Sequence, residues 1–154
     1  MILTRFRIET DYTPPLRWFD VRIYDTPEAL RKVASRITPT DDYSECVGTV
    51  QEITPMVPED TVAELQDLIP VELLGFPDNG FAGVIRLCEE YLTPSVIAHE
   101  ILHAAVVVFR MNICQLPKLE GLLSPERPRE EALAYAVGEL SGQMETMLRK
   151  HGWE

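Results

Sequence analysis

Residues 99–103 read His-Glu-Ile-Leu-His, and the two histidines are two of only three in the chain. On a helix, side chains four positions apart lie on one face, one turn above the other. Two imidazoles so placed can reach one metal ion. Glu100 follows the first of them directly, where a carboxylate can take a proton from water activated by the metal. The chemistry implied is metal-assisted hydrolysis, with zinc as the expected metal, His99 and His103 as ligands and Glu100 as general base.

A catalytic zinc takes three protein ligands and keeps a fourth position for water. A third histidine shortly after the motif would fall at Phe109, so that option fails, and His151 lies beside Trp153 and Glu154 at the far end. A carboxylate on a later helix remains. Glu130 and Glu131 both qualify. Glu131 shares a helical face with Ala134, Tyr135, Gly138 and Gly142, a small face that would let the last helix approach the motif helix closely. Glu130 shares one with Leu133, Ala134, Val137 and Ser141, which resembles ordinary core. Glu131 is the favoured third ligand, with Glu130 its competitor.

The elements that must position these groups follow from periodicity and caps. Residues 1–10 and 16–24 alternate as strands, joined across Pro14-Pro15. Thr26-Pro27 and Thr93-Pro94 each read as an N-cap followed by proline at the first helical position, opening helices over 27–37 and 94–112. Residues 46–53 suggest a strand, 60–68 a short helix, Pro77-Asp78-Asn79-Gly80 a turn, 81–89 a strand, and 128–150 the last helix. The expected fold class is α+β: a small, mostly antiparallel sheet packed on the motif helix, crossed by a glutamate-bearing helix, in one domain over 1–154.

The pairing of His99-Glu100-Ile101-Leu102-His103 with a downstream Glu131-Ala132-x-x-Tyr135 resembles the compact gluzincins. These include the ImmA/IrrE-type peptidases and small zincin-like proteins of phages and prophages. The resemblance covers about 80–142. It implies a zincin-like fold, zinc as cofactor, a peptide or protein substrate, and Glu131, directly before the alanine, as third ligand. It implies a strand beside the motif helix that runs antiparallel to the substrate, at 81–89. Tyr135, one turn beyond Glu131, would donate to the oxyanion or orient Glu131. The chain departs from the ImmA pattern at Ala134, where that pattern has asparagine.

Bulk properties narrow the alternatives. The chain has 154 residues and a net charge of -11, without the basic footprint of a nucleic-acid binder. Cys46, Cys88 and Cys114 form no CxxC pair and read as free thiols of a reducing compartment. The first residues show no secretory pattern, and the strongly apolar run Ala104–Phe109 is short of a membrane span. These features suggest a cytoplasmic protein with no membrane partner. Other accounts are a zincin-like protein that binds metal or a protein without catalysis, and an acidic, phage-encoded inhibitor in which the motif is incidental. Glu89-Glu90 is expected to be solvated charge, and Arg110 a surface or ion-pair residue.

Overall fold

A computed structural model describes residues 1–11, 15–38, 40–52, 80–114 and 127–153. The expected helix over 60–68, the residues 77–79 of the turn and the connection over 115–126 lie outside them, as does the side chain of Cys114. The described elements are β1 (Ile2–Thr10), β2 (Arg17–Tyr24), α1 (Pro27–Ile37), β3 (Gly48–Glu52), β4 (Phe81–Cys88), α2 (Pro94–Phe109) and α3 (Arg127–Lys150). A short 3-10 turn, Glu89–Tyr91, links β4 to α2, and a wide turn over Arg110–Cys114 extends α2.

The sheet has the order β1-β2-β4-β3. It is mixed: β1–β2 and β3–β4 are antiparallel, whereas the central pair β2–β4 is parallel. The expectation of a mostly antiparallel sheet holds for the outer pairings only. The two central strands carry nearly continuous buried runs, as strands covered on both faces do. Alternation sorts them. Phe19, Val21, Ile23, Ile85 and Leu87 pack with Ile101, Ala104, Val108, Ala136, Leu140 and Met144 from α2 and α3. Tyr24 and Cys88 face the other way and meet Leu30 of α1.

Both cap predictions are met. The Thr26 hydroxyl accepts from the Ala29 amide at 3.3 Å and the Thr93 hydroxyl from the Val96 amide at 3.2 Å, each ahead of a proline. The stretch Pro94–Asn112 is long and apolar enough, by composition alone, to cross a membrane. Its apolarity has a local reason: Ile101, Ala104, Ala105, Val107 and Val108 are buried in the core. The wide turn after α2 brings Asn112 to the start of β2, where it accepts from Arg17 Nε at 2.8 Å and donates to the Pro15 carbonyl at 2.9 Å.

The α1 face of the sheet is polar as well as buried. Asp20 accepts from Arg5 Nε and Arg22 Nε, both at 2.8 Å, and Arg22 and Asp20 are nearly inaccessible. Arg86, the Cα partner of Arg22 on β4, donates to the Gln51 side chain. Gln51 in turn donates to the Ala34 carbonyl at 2.9 Å, to Thr38 Oγ1 and to the Tyr43 hydroxyl. A buried ion whose counter-charge is removed costs several kcal/mol. Asp20→Ala should therefore lower the unfolding free energy by ~3–5 kcal/mol, while Arg5→Ala, which removes the half-exposed partner, should cost less than ~1 kcal/mol. Urea denaturation would measure both, and equal losses would mean that Asp20 is not the essential counter-charge of Arg22.

Candidate metal centre

Helical spacing divides the motif between solvent and core. His99 and His103 are exposed on the outer face of α2. Glu100, 100° around the helix, is only 4% exposed. The two Nε2 atoms lie 3.1 Å apart, with the rings edge to face at 75°. Two nitrogens bound to one tetrahedral zinc at about 2.0–2.1 Å are separated by roughly 3.3 Å. The pair therefore already has nearly the bite that zinc requires. With no ion, the same contact is a hydrogen bond from one Nε2 to the other.

Glu100 points inward toward the first residue of β3. A Cβ built on Gly48 would lie 3.0 Å from Glu100 Oε1. Burial pushes the Glu100 carboxyl up from its ordinary 4.5 to about 7. Beside it, Cys46 Sγ donates to the Gly48 carbonyl at 2.6 Å. Burial raises the Cys46 thiol, and the Glu100 carboxylate adds to the rise. Gly48 and Cys46 were not singled out from the sequence. A glycine inside the expected strand 46–53 was the available signal, since strand glycines mark close approach.

The strand beside the motif helix differs from expectation. Strand β4, expected to face the substrate, is internal, with β2 and β3 hydrogen-bonded on its two sides. Its main-chain groups are used within the sheet. Among the described strands the edge position falls to β3, which packs against α2. Arg110 forms an ion pair with Glu52 of this strand at 3.0 Å. The other edge, β1, is engaged at Glu9. There the Gln143 side chain accepts from the amide at 2.7 Å and donates to the carbonyl at 2.6 Å.

The second half of the expected site lies elsewhere in this arrangement. Glu130, Glu131 and Tyr135 line one open hollow on α3 with Ala134, Gly138 and Glu139. The small face of α3 does not approach α2: Gly138 and Gly142 have no atom within 4 Å of a built Cβ. The face buried instead is Ala132, Ala136, Leu140, Met144 and Leu148, because larger apolar side chains remove more surface from water.

Contacts along the sheet fix the direction of α3. Glu139 accepts from Thr10 and Gln143 binds Glu9, at the end of β1 that pairs with Arg17 and Trp18. Glu100 meets Gly48, which pairs with Leu87 at the opposite end. Glu131 lies two turns before Glu139, about 12 Å along the axis of α3 and beyond the Thr10 end of β1. Among the described residues no group of three or more His, Cys, Asp or Glu side chains could hold a metal. His151 stacks on Phe6 with ring centroids 5.7 Å apart.

Comparison of the chain with protein-family models, with curated proteins and with solved structures finds no match.

The burial of Glu100 has a pH signature in the metal-free protein. A carboxyl whose pKa is raised on folding holds its proton more tightly in the folded state, so stability falls as pH rises from about 4.5 to about 7 and the cost is complete above that. Glu100→Gln should stabilise the metal-free protein by at most ~3 kcal/mol at pH 8, with the gain fading toward zero near pH 4.5. Chemical denaturation at the two pH values checks this, and a gain independent of pH would contradict it.

Proposed function

We propose that this protein is a zinc-dependent peptidase of the compact gluzincin type, acting on a peptide or protein in the cytoplasm. The observation that carries the reading is the convergence of His99 and His103 Nε2 at 3.1 Å beside a buried carboxylate of the same helix. His99 and His103 would hold zinc there, and its Lewis acidity would lower the pKa of a bound water to about 7 and polarise a carbonyl. Glu100 accepts the proton of the attacking water and passes it to the leaving amine. Its burial removes competing solvent and favours a carboxyl that can both take and return a proton.

An extended substrate would lie along β3, whose outer side has no paired strand among the described residues. Main-chain hydrogen bonds to that edge would hold a peptide across the exposed histidines. The gluzincin resemblance assigns the third zinc ligand to Glu131 and a supporting role to Tyr135. Both sit together on α3, so that assignment requires the first turns of α3 to be carried to the histidine pair.

In a second reading the histidine pair belongs to a site that binds a metal without hydrolysis; among the described residues no third ligand joins it. Elemental analysis and peptide hydrolysis separate the two. The wild-type protein should hold one zinc per chain, lost in His99→Ala and in His103→Ala. Glu100→Gln should keep zinc and lose ~10²–10⁴-fold in hydrolysis. Hydrolysis unchanged in Glu100→Gln would sink the peptidase mechanism, and wild-type zinc without hydrolysis would select the second reading. Loss of zinc in Glu131→Ala would support the assigned third ligand, and retention would move that ligand elsewhere in the chain.

A further inference from the structure

We propose that Gly48 is a positioning residue for Glu100: the missing side chain at the first residue of the edge strand opens the slot that holds the Glu100 carboxyl group. The inference deepens the reading of Glu100 as proton acceptor and rests on it for its functional meaning. Its structural content stands independently.

A built Cβ at Gly48 would lie 3.0 Å from Glu100 Cγ, 3.0 Å from Oε1 and 3.2 Å from Cδ. The three nearest atoms thus all belong to one side chain. Backbone conformation does not demand glycine here: the described glycines with positive φ are Gly80 and Gly152. Space does. The contrast within the same chain is clear, since Gly138 and Gly142 have open space around a built Cβ.

Neither backbone is free to retreat. Gly48 pairs with Leu87 of β4, and its carbonyl accepts from Cys46 Sγ at 2.6 Å. Glu100 is followed on α2 by Ile101 and Ala104, both fully buried in the core. A methyl group at position 48 is therefore accommodated by moving the Glu100 side chain. His99 and His103 are exposed, contribute none of the three atoms nearest a built Cβ at position 48, and keep their relation to each other.

A double-mutant cycle in zinc-free full-length protein tests the contact. Gly48→Ala should lower Tm by several degrees in the wild-type background. In the Glu100→Ala background the same change should leave Tm unchanged or raise it, because alanine is the better strand residue once the slot is empty. Equal losses in both backgrounds would overturn the proposal. After reconstitution with zinc, Gly48→Ala should keep one zinc per chain, while kcat on a cleaved peptide falls at least tenfold and KM stays within twofold. Loss of zinc in Gly48→Ala, or kcat unchanged, would equally overturn the positioning role. A wild-type chain that neither binds zinc nor cleaves peptides would defeat the peptidase reading, and the Tm cycle would still decide whether Gly48 sets the place of Glu100.

Discussion

The site depends on one constraint: a helix that packs one face on the sheet presents His99 and His103 outward and turns Glu100 into the core. Successive helical residues are 100° apart, so outward imidazoles at 99 and 103 turn residue 100 toward the sheet. Burying that carboxyl opposes folding when it is charged. The surrounding core offsets the cost, since Ile101, Ala104, Ala105 and Val108 anchor the same turns of α2. The energetic tension is local to the residue with the proposed chemical role, where strain against stability is expected in an active site.

The two faces of the sheet solve different problems. The face under α2 and α3 is apolar and continuous, and it fixes the height and direction of the motif helix. The face under α1 holds Asp20, Arg22, Gln51 and Arg86 in nearly complete burial. Gln51 links that layer to β3 and to α1 at once, through Arg86, the Ala34 carbonyl and Thr38. Strand β3 carries Gly48 at its start and Glu52 at its end. The polar layer therefore holds, from beneath, the strand that meets Glu100 and Arg110 from above.

Much of this fold was legible because its signals are local. Threonine–proline pairs announced α1 and α2, and alternation announced the strands. The expectations for Arg110 as an ion-pair residue and for Glu89-Glu90 as exposed charge agree with the structure. The parallel pairing of β2 with β4 was not legible, because a buried strand looks the same in either orientation. The packed face of α3 was misjudged by one position. Small residues at 134, 138 and 142 suggested close approach, whereas the stripe Ala132, Ala136, Leu140, Met144 buries more apolar area. Gly48 was hidden for a different reason: its partner lies on another element, and nothing in a strand sequence says what faces a missing side chain.

Register carries more of the functional argument than composition does. A histidine pair, a glutamate and a second glutamate on a later helix can be read from any chain that contains them, but the ladder assigns each a level along the sheet. His99, Glu100 and His103 stand at the level where β3 begins. Glu139 and Gln143 fasten α3 to the far end of β1. The Gln143 amide bonds both main-chain groups of Glu9 as a neighbouring strand would, and so closes the β1 edge there while it sets the height of α3. That bond pair occupies the β1 edge at Glu9 and sets the position of α3 along it. Bringing Glu131 to the histidines would require α3 to slip along β1 and give up the Gln143 and Glu139 contacts together. Whether Glu131 can serve the proposed metal is therefore a question about the docking of α3, set by the polar contacts at the end of β1.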